Sequence, residues 1–82
     1  MKLPVIRHLQ RNHDAEKLQN TIDVLESFTE HRSVSDEELD VVGELITNLC
    51  GAVEVHKMIE DGDSEMDAAN NFVKKVMGSI DR

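Results

Sequence analysis

Apolar residues recur every three or four positions along this chain, which is the spacing of one face of an α-helix. A first short run follows Pro4, a residue that suits the first turn of a helix because its missing N–H is not needed there. A second run, from about Asp14 to Glu30, carries Leu18, Ile22, Leu25 and Phe28. No segment alternates apolar and polar residues as a half-buried strand does. The pattern therefore predicts an all-α protein.

The longest helix is predicted to begin after Ser35, because Ser35 and Glu38 have the spacing of a capping box. It continues to about Glu60, where Gly62 suits the left-handed conformation that ends many helices. Asp63 or Ser64 then caps a last helix, which runs to about Ser79. The prediction is a small bundle of three main helices plus a short N-terminal helix.

The central helix is predicted to be the spine of this bundle. At 100° per residue, its apolar side chains occupy an arc of roughly 160°, which is wide enough to contact two or more helices. The members of this arc are Val41, Val42, Leu45, Ile46, Leu49, Ala52, Val53 and Ile59. The polar residues Asp40, Glu44, Asn48 and Glu54 are expected outside it.

The length of 82 residues allows one domain, spanning residues 1–82, and 2% aromatic content makes its core aliphatic. A chain of this size buries only about 60% of the surface that it exposes when unfolded, so self-association is a natural source of further burial. We therefore expect a homodimer formed through the central helix.

Five residues of the central helix are the candidates for that interface. Gly43, Thr47 and Gly51 follow one another at intervals of four and form a ridge of small side chains, with Cys50 and His56 nearby. A ridge of this kind indicates either close approach of another helix or a tolerated flexible point in this one. The sequence leaves both interpretations open.

Charge is the most distinctive property of the composition. The net charge is −8, and residues 14–67 hold sixteen acidic side chains against three basic ones. This balance argues against direct binding to nucleic acid, which requires a basic surface, and equally against anionic membranes. It favours a basic protein partner or contacts between subunits, or it indicates only a solvated surface that keeps a small protein soluble. The candidate acidic docking surface consists of Asp23, Glu26, Glu30, Asp36, Glu37 and Glu38.

The residue patterns do not predict an enzyme. Cys50 and His56 are separated by about 120° around a straight helix, too far apart for a nucleophile and its base. His56 and Glu60 share a helix face, but two ligands do not make a metal site. We expect no catalytic residue, cofactor or metal. Two alternatives remain open: a metal or thiol site assembled across a dimer interface, and an acidic mimic of nucleic acid that acts on a DNA-binding protein.

The remaining features indicate a soluble cytoplasmic protein. A single cysteine cannot form an internal disulfide, which suits a reducing compartment. The N-terminal residues lack the apolar core of a signal peptide, and no stretch approaches the roughly 20 apolar residues of a membrane span.

Three segments together resemble a known family: "MKLPVIRHL", "DEELDVVGELITNLCGAVEVHKMIEDG" and "FVKKVMGSIDR". They are similar to small uncharacterised proteins of flavobacteria and related bacteria that share a domain of unknown function. The resemblance implies a bacterial cytoplasmic protein and transfers neither an activity nor functional residues.

The expected function is that of a small acidic protein-interaction module, such as an accessory subunit, an adaptor or an inhibitor.

Overall fold

Four helices make up the computed structural model, which describes the backbone of residues 2–80 and the side chains of residues 2–76. They are α1 (Leu3–Asn12), α2 (Ala15–Thr29), α3 (Asp36–Glu60) and α4 (Glu65–Ile80). No strand occurs within residues 2–80. The predicted all-α bundle, with a short leading helix and a long central one, is confirmed.

Three of the helix boundaries have a local chemical cause. Asp14 accepts a hydrogen bond from the backbone N–H of Lys17 at 2.7 Å and so begins α2. The predicted capping box at Ser35 is present, with Ser35 Oγ accepting from the Glu38 N–H and Glu38 Oε1 accepting from the Ser35 N–H. Gly62 follows α3 with a φ of 116°, a conformation that glycine adopts without steric cost.

The helix α3 is the spine of the fold, because α1, α2 and α4 all pack against it. Its C-terminal half lies in the core and buries Leu49, Gly51, Ala52 and Val55. The residues that the other three helices bury around it are Ile6, Leu18, Ile22, Ala68 and Phe72. Burial of these aliphatic and aromatic side chains is the main favourable contribution to folding.

Gly51 lies at the closest approach of three helices. A Cβ atom at this position would lie 2.8 Å from Ile6 Cδ1 of α1 and 3.2 Å from Phe72 Cζ of α4. A Cβ at Gly43 would meet nothing within 4 Å. The predicted ridge of small residues is therefore not uniform: Gly51 admits neighbouring helices of the same chain, whereas Gly43 faces open space.

The predicted apolar arc of α3 is wrong at three positions. Asn48 is only 5% exposed, and its Oδ1 accepts a hydrogen bond from the Lys2 N–H at 2.8 Å. Val41 and Leu45 are 62% and 49% exposed. The start of α1 explains both errors, since Lys2 lies beside Glu44 and Asn48. The helix α1 thus covers this side of α3 from about Asn48 onward and leaves Val41 and Leu45, in the preceding turns, without a neighbour from α1.

Replacing Ser35 with alanine should lower the free energy of unfolding by about 1 kcal/mol, because the Glu38 N–H loses its acceptor. For a domain of this size that loss corresponds to a fall of about 4–8 °C in the melting temperature. Thermal unfolding followed by circular dichroism measures it. A melting temperature unchanged by Ser35→Ala would contradict the structural role of the capping box.

The stability that Glu38 contributes should depend on pH. Hydrogen bonds from the Ser35 N–H and then the Ser35 hydroxyl lower the pKa of Glu38 from its usual 4.5. A carboxylate with a lowered folded-state pKa stabilises the fold above its unfolded pKa, and that stability is lost as the pH falls through the folded value. The difference in stability between wild type and Glu38→Gln should therefore shrink below pH 4.5. Glu37→Gln is the control, since Glu37 takes no part in the capping box.

Larger side chains at the two glycines of α3 should change the free energy of unfolding in opposite directions. Gly51→Leu should destabilise the protein by about 1–3 kcal/mol, because the new side chain must displace Ile6 and Phe72. Gly43→Ala should stabilise it by up to about 1 kcal/mol, because alanine favours the helix and meets no neighbour. Urea unfolding of both variants tests this. Equal stability of Gly51→Leu and wild type would rule out tight packing at this glycine.

Candidate functional site

Four large apolar side chains of α2 and α3 are exposed to solvent and form what we call the open apolar surface: Val24, Phe28, Val41 and Leu45. Val24 and Phe28 are one helical turn apart on α2, and Val41 and Leu45 are one turn apart on α3. Phe28 and Val41 line the same surface cavity of about 440 Å³, with Val42 at its floor. Exposed apolar residues in such a group mark an interaction surface more often than isolated ones do.

The rim of this cavity is acidic. Glu37 and Glu38, in the first turn of α3, are its charged lining residues. Hydrogen bonding by Ser35 lowers the pKa of Glu38, so this carboxylate is ionised at neutral pH. The cavity therefore combines an apolar floor with negative charge at its edge.

Two of the six acidic residues predicted as a docking surface, Glu37 and Glu38, line this cavity. At 100° per residue, Asp23, Glu26 and Glu30 lie within about 60° of one another on α2. Val24 and Phe28 lie on the opposite side of that helix. Glu37 and Glu38 therefore border the open apolar surface, whereas the carboxylates of α2 lie on the side of that helix away from Val24 and Phe28.

A second apolar cavity, of about 530 Å³, lies between α3 and α4, and we call it the α3–α4 groove. Ile46, Phe72 and Val76 supply its apolar lining. Three of the five predicted interface residues, Thr47, Cys50 and Gly51, also line it. At one edge the ammonium of Lys75 donates a hydrogen bond to Glu54 Oε1 at 2.8 Å.

The chemistry of Cys50 does not favour a nucleophile. Partial burial of the sulfur, and then repulsion from the Glu26 carboxylate, raise the pKa of the thiol above its usual 9.0. A reactive cysteine has a lowered pKa, since the thiolate is the nucleophile. Cys50 is therefore a protonated thiol at neutral pH.

His56 is half-buried and has a structural partner. Its Nε2 lies 2.7 Å from the carbonyl oxygen of His13, and donation of this ring N–H links α3 to the turn between α1 and α2. Glu60, the other residue considered for a metal, is exposed. Among the residues that the structure describes, no group of three or more histidine, cysteine, aspartate or glutamate side chains could hold a metal ion.

Sequence reasoning did not identify the open apolar surface. Val41 and Leu45 have the periodicity of core residues, and only the position of α1 leaves them exposed. Val24 did carry a signal, because an apolar residue on the side of a helix opposite Leu18 and Ile22 has no core to enter. An exposed apolar residue of this kind, close to carboxylates, is the pattern that would have indicated a surface.

One family model matches nearly the whole of this chain. None of the described helices combines the length and apolar character needed to cross a membrane. No curated protein and no solved structure shows a significant match. The model of a family of unknown function, DUF6952, matches residues 1–81, which confirms the resemblance to a domain of unknown function. The chain therefore belongs to the DUF6952 family.

Proposed function

We propose that this protein is a small protein-interaction module that binds a basic protein partner through its open apolar surface. The observation that carries the proposal is the exposure of Phe28, Val41 and their neighbours beside the carboxylates of Glu37 and Glu38. Its role is that of an accessory subunit, adaptor or inhibitor in the bacterial cytoplasm that the family resemblance implies.

Apolar anchoring supports the binding of a protein rather than a small metabolite. The cavity that Phe28 and Val41 line is open and shallow, and its apolar neighbours lie on the surfaces of two helices rather than in an enclosed pocket. Protein interfaces derive most of their affinity from a few apolar or aromatic residues that become fully desolvated. Phe28 and Val41, at the centre of the open apolar surface, are the expected anchors.

Charge supports a basic partner over a second copy of this chain. A two-fold contact through the open apolar surface would bring the carboxylates of Glu37 and Glu38 close to the same residues of the other copy. Like charges placed opposite each other at an interface weaken binding and disfavour that partner. A segment that carries lysine or arginine beside apolar residues meets no such repulsion.

The spacing of the exposed side chains fits a helical segment of the partner. Val24 and Phe28 repeat at an interval of four on α2, as Val41 and Leu45 do on α3. An amphipathic helix that docks on neighbouring helices uses apolar anchors at the same intervals. The expected ligand is therefore a helix with one apolar face and basic flanks.

A photo-reactive amino acid placed at Val41 should cross-link a basic protein in the native cell. The same amino acid at Met66 is the control, since Met66 is similarly exposed but lies on α4. The partner trapped from position 41 and absent from position 66 is identified by mass spectrometry. The absence of a specific product at Val41, or a partner with an acidic binding segment, would contradict the proposal.

With that partner in hand, Val41→Ser should weaken binding about fivefold or more, because truncating a residue that anchors an interface costs more than about 1 kcal/mol. Met66→Ser should leave the affinity unchanged. Glu37→Lys should slow association and reduce its dependence on salt, whereas Glu60→Lys, at the far end of α3, should do neither. Isothermal calorimetry and stopped-flow fluorescence provide these measurements.

A further inference from the structure

The chain exposes more surface than a compact monomer of its mass. Its accessible surface is 5870 Å². A folded monomer of 9.3 kDa exposes about 5,000 Å², so the surplus is roughly 900 Å². Its radius of gyration, 13.7 Å, likewise exceeds the roughly 12 Å expected for this length. The surplus is close to the 800 Å² or so that each partner contributes to a standard protein interface.

The α3–α4 groove is the face on which a second copy meets no electrostatic penalty. Its charged lining residues, Glu54 and Lys75, neutralise each other in a hydrogen-bonded pair. The open apolar surface has an acidic rim instead and disfavours self-association. Thr47 and Cys50 are exposed and have small side chains, which leave room for another helix beside α3, whereas the space at Gly51 is filled by Ile6 and Phe72 of the same chain.

We propose that a second copy of this chain docks in the α3–α4 groove and forms a two-fold homodimer in which Cys50 is covered. The dimer does not rest on the proposed function, because Val41 and Leu45 lie about 170° around α3 from the centre of the groove. Both copies keep their open apolar surface exposed, and the dimer binds two partner segments.

The molar mass of three proteins tests the dimer. Wild type should sediment at twice 9.3 kDa, and Thr47→Arg should raise the dissociation constant more than tenfold by placing a bulky cation in the groove. Thr21→Arg is the matched control, since Thr21 is also exposed and its hydroxyl also donates to the carbonyl four residues earlier. Circular dichroism verifies that each variant is folded.

Three results would overturn the proposal: a single-chain mass for wild type at every attainable concentration, an unchanged dimer in Thr47→Arg, or a dimer lost in Thr21→Arg. None of them bears on cross-linking at Val41, so failure of the dimer and failure of the partner proposal are distinguishable.

Alkylation of Cys50 by iodoacetamide is an independent readout. Cys50 is exposed in the single chain and becomes covered in the dimer. Its alkylation rate at fixed pH should therefore fall at least severalfold as the protein concentration rises through the dissociation constant. In Thr47→Arg the rate should not vary over the same range. A rate for wild type that is independent of concentration would place Cys50 outside any interface between copies.

Discussion

The packing of α1 and α4 against α3 at Gly51 is the constraint on which the rest of the structure depends. Ile6 of α1 and Phe72 of α4 both approach this residue so closely that a Cβ atom would contact them. The helix α2 packs along α3 as well. A chain of 82 residues buries a limited fraction of its surface, and here one long helix serves as the common neighbour of all the others.

This arrangement leaves α3 unequally covered, and the exposed surfaces follow from it. The short α1 begins beside Asn48, so the N-terminal turns of α3 lack a neighbour on that side and expose Val41 and Leu45. The helix α4 crosses near Gly51 and leaves a groove beside Thr47 and Cys50. Two apolar surfaces of different electrostatic character result, one with an acidic rim and one with balanced charge. That difference is the basis for assigning them different occupants.

Cys50 and His56 are the residues that the sequence offered for a thiol or metal site, and the structure gives the surroundings of each. Cys50 has a raised pKa because partial burial and the Glu26 carboxylate both disfavour the thiolate. His56 donates to a backbone carbonyl and thereby fixes the turn between α1 and α2. His56 thus acts through a hydrogen bond within the chain, whereas Cys50 lies exposed beside the α3–α4 groove.

The helices and their ends were determined by the sequence alone, because caps such as Ser35 with Glu38, and terminators such as Gly62, act within a few residues. The acidic character could be predicted from the composition, and the central role of α3 from the width of its apolar face. The faces of α3 could not, since periodicity assigns Val41 and Leu45 to a core and Asn48 to solvent, and the structure reverses both. Which part of a helix is buried depends on how far its neighbours extend along it. The start of the short α1 lies beside Asn48, so α1 does not extend over the earlier turns of α3. Only the tertiary structure therefore decided which apolar side chains became core and which became surface.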